Sequence, residues 1–375
     1  MALHPKSDGL REIEHLYVHI PFCPKICPYC SFYKEASDRN KVQGFLDSLL
    51  LELDRFGSER LTIRTIFFGG GTPSALSPSQ LNFLLSGLRA RLDLSNLTEW
   101  TLEMNPATVS LEKARLLLSL GVNRISMGVQ SWNPEILQRL GRVHSAAQAR
   151  RSYHLLRDAG FENVNLDLIF GVPGQSHSQW LESLSETVAM EPNHISAYCL
   201  TYEEDTEFFR RLQTGEFRSD ANEDAEFFST TMDFLGERGF EQYEISNYAR
   251  PGHECRHNLA YWHGKDYLGI GPSAFSTVGR SRWQNISDTQ SYIERAMRGD
   301  SVKSLEETLE DVTRDSERVV FGLRTNRGIL RSKIDQQTAE LSDLEKAGYV
   351  ETVGNYIRLT KAGRLLADEI GTLFV

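Results

Sequence analysis

No stretch of this sequence approaches the ~20 consecutive apolar residues needed to cross a bilayer, so a transmembrane segment is excluded. The first residues, MALHPKSDGLREIEHLYVHIPF, carry charge throughout and lack the apolar core of a secretory signal, which points to the cytoplasm. Basic residues are in deficit. Lys plus Arg is 41 against 51 for Asp plus Glu, a net charge of −10. No basic stripe is available to neutralise phosphates, so a nucleic-acid partner is not expected. Low-complexity linkers and internal repeats are missing. Five cysteines in 375 residues are too few, and odd in number, for a disulfide scaffold. Hydrophobic and charged fractions of 40% and 25% are those of an ordinary globular protein.

What is present is order. Strand-like and helix-like patterns alternate after residue 15. Strands are expected at 15–21, 62–68, 101–104, 123–129, 163–171 and 194–200. Helices are expected at 40–56, 78–92, 111–120, 146–159 and 178–190. Ser77-Pro78-Ser79-Gln80 and Ser145-Ala146-Ala147-Gln148 both read as capping boxes. Six β-α repeats in about 190 residues imply a parallel sheet clothed by helices. Residues 203–300 are less regular. From about 305 short helices are expected, then strands around Gly354-Asn355, an α+β order like that of a winged helix. The expected division is 1–240, 241–300 and 301–375.

Three of the five cysteines stand together, in Cys23-Pro-Lys-Ile-Cys27-Pro-Tyr-Cys30. Given one cysteine, this spacing arises by chance roughly once in 5,000 at such cysteine usage. Three thiolates on a short loop suit a soft metal or an iron–sulfur cluster. A zinc site would want a fourth ligand, and His19 lies inside a strand pattern, a poor position for one. Cys199, in an apolar strand, reads as a core thiol.

A three-cysteine loop after a first strand, followed by β-α repeats and the run Gly69-Gly70-Gly71-Thr72-Pro73, resembles the radical S-adenosylmethionine (SAM) superfamily. The resemblance implies a partial (β/α)6 barrel. It implies a [4Fe–4S] cluster held by Cys23, Cys27 and Cys30. The fourth iron is open to the amino and carboxylate groups of SAM, and an electron from the cluster cleaves the sulfonium. Tyr17-Val-His-Ile-Pro-Phe-Cys23 resembles the signature of the coproporphyrinogen oxidase-like branch. On that resemblance Gly70, Gly71 and Thr72 meet the amino group of SAM, and Glu103 accepts from its ribose hydroxyls. Tyr17, Gln130, Arg142 and Asp167 add further contacts, and Tyr29 and Ala197 touch adenine.

Two departures separate this chain from the oxidases of the branch. They carry a fourth cysteine two positions after the triplet, where Phe32 stands here, and they have a long N-terminal extension, where 22 residues precede Cys23. Both favour the branch's haem-chaperone members, which bind haem as cargo and pass it to haem-accepting apo-proteins, respiratory ones among them. The alternative is an oxygen-independent coproporphyrinogen III dehydrogenase. An electron donor such as a flavodoxin or ferredoxin is implied in either case. A second segment, Cys255-Arg-His257-Asn-Leu-Ala-Tyr261-Trp262, resembles the branch's H-N-x-x-Y-W motif, associated with haem handling. His257 and Cys255 are candidate axial donors, and Tyr261 and Trp262 could flank a porphyrin face.

Overall fold

The computed structural model describes residues 13–57, 61–334 and 338–374. Residues 1–12 lie outside the described residues. The repeats form as expected. They run β1 (His15–Ile20), α1 (Arg39–Asp54), β2 (Thr65–Gly70), α2 (Pro78–Arg89), β3 (Glu99–Met104), α3 (Leu111–Ser119), β4 (Arg124–Gln130), α4 (Pro134–Arg139), α5 (Ala146–Ala159), β5 (Asn163–Phe170), α6 (His177–Ala189) and β6 (His194–Cys199). The six strands pair in sequence order, all parallel.

Three short strands extend this sheet to nine. Leu268–Ile270 adds in parallel to the outer edge of β1. Asn247–Ala249 adds antiparallel to β6, and Glu241–Gln242 follows it. The two outermost strands do not pair with each other. The result is an open, partial barrel.

Alternation along the strands decides which way each side chain points. One set is apolar and buried: Leu16 and Val18, Ile66 and Phe68, Trp100 and Leu102, Ile125 and Met127. It forms one core with helix residues such as Phe45, Leu84, Leu117 and Trp180. The other set is largely polar: His15, Tyr17, Thr65, Glu99, Glu103, Arg124, Asn165, Asp167 and His194. A packed (β/α)8 barrel fills its interior with branched aliphatics. This one leaves a polar interior, as a binding lumen requires.

Local details depart from the sequence reading in places. β2 starts at Thr65 because its first partner on β1 is His15, and Thr62 makes only an isolated bridge to Asp93. Ser77 and Gln80 form a complete capping box. Ser145 accepts from the Gln148 amide without the reciprocal bond. A complete box instead opens α6, from Ser176 and Gln179. Residues 303–308 are strand, not helix. They pair with Ser281–Asn285, which pairs with Phe275–Val278, so this antiparallel sheet crosses position 300. Helix Asp311–Leu323 follows. Beyond it, Ile329–Leu330, Tyr356–Leu359 and Val350–Val353 make a three-stranded antiparallel sheet around the expected hairpin. Val319, Leu323, Leu341, Ile357 and Phe374 give that part its own core.

One buried carboxylate ties α1 to the segment that follows the barrel. Glu52 accepts from the Gly271 amide at 2.9 Å, the Asn285 amide group at 2.6 Å and the Tyr292 hydroxyl at 2.5 Å. Burial pushes its pKa up to about 7, against the pull of these donors. Glu52→Ala strands three buried donors, each worth about 1–3 kcal/mol when left unpaired. The substitution should lower stability by roughly 3 kcal/mol or more in urea unfolding, and an unchanged midpoint would show that the tie carries no weight.

Candidate functional site

The triplet loop springs from the C-terminal end of β1. Its two ends are pinned together: the Glu35 amide donates to the Pro21 carbonyl at 2.9 Å, and that of Ser37 to Cys23 at 3.1 Å. Within the loop the Cys30 amide donates to the Cys27 carbonyl at 3.3 Å, and the Lys34 ammonium donates to the Cys30 carbonyl. All five cysteines are free thiols. The Thr72 hydroxyl reaches Cys23 Sγ at 3.5 Å and Arg142 Nη1 reaches Cys27 Sγ at 3.6 Å. Burial raises the thiol pKa values of Cys23 and Cys30.

Among the described residues, no three His, Cys, Asp or Glu side chains converge on a single ion position. A [4Fe–4S] cluster asks for something else. Each cysteine holds a different iron, so the thiolates ring a cube rather than meet at a point. Three free thiols on one pinned loop, two of them approached by hydrogen-bond donors, fit that group.

The glycine run follows β2 beside this loop. A Cβ on Gly71 would stand 2.6 Å from the Pro21 carbonyl oxygen, and one on Gly70, whose φ is 104°, 2.6 Å from the His19 ring. Only glycine lets the chain pass here. His19 is engaged at both nitrogens, accepting from Tyr17 OH at Nδ1 (3.1 Å) and donating from Nε2 to the Tyr33 carbonyl (2.9 Å). Burial lowers its pKa to about 4, so it is a neutral brace, not a fourth ligand. Glu103 lies across the run, its Oε1 3.2 Å from where a Gly69 Cβ would sit, and the same Cβ would lie 3.1 Å from the Tyr17 ring.

Gln130 ends β4 in the left-handed region at φ 68°, after a slip in the pairing of β4 with β5. A non-glycine residue there signals local strain. The slip frees two carbonyls. Arg142 Nη2 takes that of Gly128 at 2.8 Å, and His144 Nε2 takes that of Val129 at 3.0 Å. Gln130 Oε1 and Arg142 Nε are buried without a partner, as in a site built for a polar ligand. Tyr29 packs on Phe208, with 6.1 Å between ring centres. Asp167 accepts from Ser126 at 3.1 Å and from Asn165 at 2.7 Å. Ala197 is different: its side chain lies in the helix-facing core, while Ser196 and Tyr198 beside it turn to the lumen. Only its backbone is left for a ligand. Cys199 is half-buried against that core.

The H-N-x-x-Y-W segment lies elsewhere. It forms a short helix, Arg256–Trp262, at the N-terminal ends of the barrel strands, opposite the cysteine loop. Glu99 accepts from the amides of Arg256 (2.8 Å) and His257 (3.1 Å) and from the Cys255 thiol (3.3 Å). Cys255 is fully buried, and burial pushes its pKa up to about 12. His257 is 6% exposed, bonds Thr65 through Nδ1 at 2.8 Å and lies against Phe67. Of the two candidate axial donors, Cys255 is thus engaged by Glu99 and His257 by Thr65. These contacts seat the helix on the barrel. Tyr261 is exposed, its hydroxyl 2.6 Å from that of Tyr267, and Trp262 is half-buried beneath the Arg324 guanidinium, 5.1 Å from the ring centre.

The sequence reading missed Glu99, Arg124, Asn165, His194 and Tyr243, which form the base of the lumen. A signal existed: polar residues at every second position of otherwise apolar strands.

An open parallel barrel with this cysteine loop and glycine turn is the architecture of a SAM-dependent radical protein, and the Radical SAM superfamily model matches residues 17–186. "Heme chaperone HemW" of Lactococcus lactis subsp. lactis is 36% identical, covering 88% of this chain and 86% of that protein. "Heme chaperone HemW" of Escherichia coli K12 is 35% identical, covering 96% and 97%. Among solved structures, the coproporphyrinogen III oxidase HemN of Escherichia coli is 25% identical with a TM-score of 0.84, over 98% of this chain and 91% of that one. The chain belongs to the radical SAM superfamily and, within it, to the HemW family.

Glu103 yields a pH prediction. Burial first, then the negative Asp167, raise its pKa from 4.5 to about 8. A carboxylate with a raised folded pKa contributes stability at acid pH that is lost as pH rises, here between about 4.5 and 8. In the SAM-free protein Glu103→Gln should therefore gain stability over wild type at pH 8 relative to pH 5, by an amount of order 2 kcal/mol. Urea midpoints at the two pH values test this, and parallel pH profiles would refute the buried-carboxylate assignment.

Proposed function

We propose that the chain is a haem chaperone, binding haem and passing it to haem-accepting apo-proteins, respiratory ones included. The observation that carries this reading is 35% identity to a HemW protein across 96% of this chain and 97% of that one. Phe32 supports it. It is 67% exposed and stands two positions after Cys30, where the oxidases place a fourth cysteine. A second reading, an oxygen-independent coproporphyrinogen III dehydrogenase, is favoured by the TM-score of 0.84 to HemN over nearly the whole chain.

In this reading Cys23, Cys27 and Cys30 hold the [4Fe–4S] cluster. The Thr72 hydroxyl and Arg142 guanidinium stabilise negative charge on the sulfurs they touch. When bound, the cluster supplies an electron and an open iron to SAM, fed by a flavodoxin- or ferredoxin-like donor. Gly70, Gly71 and Thr72 leave room for the amino group. Glu103 takes the ribose hydroxyls. Gln130, Arg142 and Asp167 supply the remaining polar contacts, Tyr17 and Tyr29 flank them, and the Ala197 backbone meets adenine. Reduced thiols of this kind suit the cytoplasm. No helix of the described residues is long and apolar enough to cross a membrane.

Haem is flat and apolar, with iron needing an axial donor and propionates needing polar partners. Tyr261 offers exposed aromatic surface beside the half-buried Trp262, and Arg324 places a cation over the Trp262 ring. Beneath them His257 and Cys255 keep the helix seated. Residues 241–300 thus supply the cargo surface on the 1–240 core, with 301–375 contributing Arg324.

Anaerobically purified protein should carry about four iron per chain and lose it on replacing Cys23, Cys27 or Cys30 by Ser, while Cys199→Ala keeps it. It should retain haem through gel filtration, and Tyr261→Ala and Trp262→Ala should weaken that retention. With SAM and reductant it should not convert coproporphyrinogen III. Conversion without haem retention would promote the second reading.

A further inference from the structure

A continuous run of hydrogen bonds joins the two ends of the lumen. The Cys255 amide, at the start of the H-N-x-x-Y-W helix, donates to Tyr243 OH at 3.3 Å. Tyr243 OH meets His194 Nε2 at 2.9 Å. His194 Nδ1 meets Asn165 Oδ1 at 2.7 Å, and Asn165 Nδ2 donates to Asp167 Oδ1 at 2.7 Å. The directions are forced from one end to the other. The Asn165 oxygen can only accept, so His194 carries its proton on Nδ1. Its Nε2 is then an acceptor, and the Tyr243 hydroxyl is the donor to it.

His194 is fully buried, and burial holds its pKa well below the usual imidazole range. It stays in one neutral tautomer. Its Nδ1–H holds the oxygen of the Asn165 amide in place. With its oxygen turned to His194, its nitrogen faces Asp167, and also Ser126 at 2.7 Å and Ser196 at 2.9 Å. The reverse orientation would point an amide oxygen at a carboxylate.

We propose that His194 is a positioning residue for the cofactor site: acting through Asn165, it fixes the Asp167 carboxylate, and through Tyr243 it ties that carboxylate to the seating of the H-N-x-x-Y-W helix. The proposal rests on the reading of Asp167 as a SAM contact. It adds that the helix at the base of the barrel and the cofactor pocket above it share one rigid polar support.

The test uses full-length protein with its cluster, anaerobically, and measures SAM affinity by equilibrium dialysis for wild type, Asp167→Asn, His194→Leu, Tyr243→Phe and the double variant Asp167→Asn/His194→Leu. Iron content is measured alongside. If Asp167→Asn leaves affinity unchanged, the cofactor-site reading of Asp167 fails and the proposal falls with it. If Asp167→Asn weakens binding, His194→Leu should weaken it about tenfold at unchanged iron content, consistent with one charge-assisted hydrogen bond lost. The double variant should then bind no worse than Asp167→Asn alone, because His194 acts through Asp167. A general structural role would instead give multiplying losses, and that result overturns the proposal, as does an unchanged His194→Leu. Should His194→Leu fail to fold, Tyr243→Phe takes its place in the cycle. It removes the hydroxyl that donates to His194 Nε2, loosening the ring while Asn165 still holds the tautomer, and should weaken SAM binding by a smaller factor that also disappears in the Asp167→Asn background.

Discussion

The Glu99 carboxylate is the constraint on which the rest of the molecule depends. It opens β3, points into the barrel and takes three donors from the segment that begins the H-N-x-x-Y-W helix. That helix has only seven residues and no side-chain cap of its own. Its free amides need an acceptor, and a carboxylate at a helix N-terminus is also favoured by the helix dipole. Arg124, buried at the start of the adjacent strand, is drawn to the same charge. A buried carboxylate without such partners would cost several kcal/mol. With them, barrel floor and helix become one unit.

A floor of this kind separates two chemistries. Strand C-termini carry the cysteine loop, the glycine turn, Glu103 and Gln130, where open α/β sheets bind their ligands. Strand N-termini carry Glu99, Thr65 and His194, whose hydrogen bonds hold a helix, His194 through Tyr243. The motif's His257 and Cys255 face inward to that floor, and Tyr261 and Trp262 face outward. One short helix therefore joins a structural half to a surface half. Sequence spacing cannot tell the two apart, because all four residues lie within eight positions and a short helix sends neighbours in different directions.

The same reasoning explains what was legible in the chain. Six strands and their helices were readable because apolar periodicity records the outer core directly, as Val18, Phe68 and Leu102 do. The cysteine loop was readable because its spacing is rare. The strand at 303–308 was not. Five of its six residues are exposed, so it has no apolar pattern and takes its form from pairing with Ser281–Asn285. The polar floor was hidden for a related reason. Arg124, Asn165 and His194 are far apart in sequence and gain meaning only when parallel pairing sets them side by side. Ala197, on the sixth strand, turns its side chain to the core and leaves its backbone toward the lumen, a distinction that strand alternation makes only once the register is known.

At the corner made by Gln130, Arg142 and His144 the structure gives up stability. Gln130 holds a left-handed backbone that costs about 1–3 kcal/mol. Its Oε1, Arg142 Nε and His144 Nδ1 are buried without partners, each a further penalty of about 1–3 kcal/mol. The fold could relieve this by straightening β4, but Arg142 and His144 clamp the two freed carbonyls, and Arg142 also reaches Cys27. Straightening would therefore release the support of the cysteine loop. The strain is thus tied to the cluster loop through Arg142, which bonds both the Gly128 carbonyl and Cys27. A ligand with matching donors and acceptors recovers that free energy on binding, so occupancy of this corner and stability of the barrel rise together.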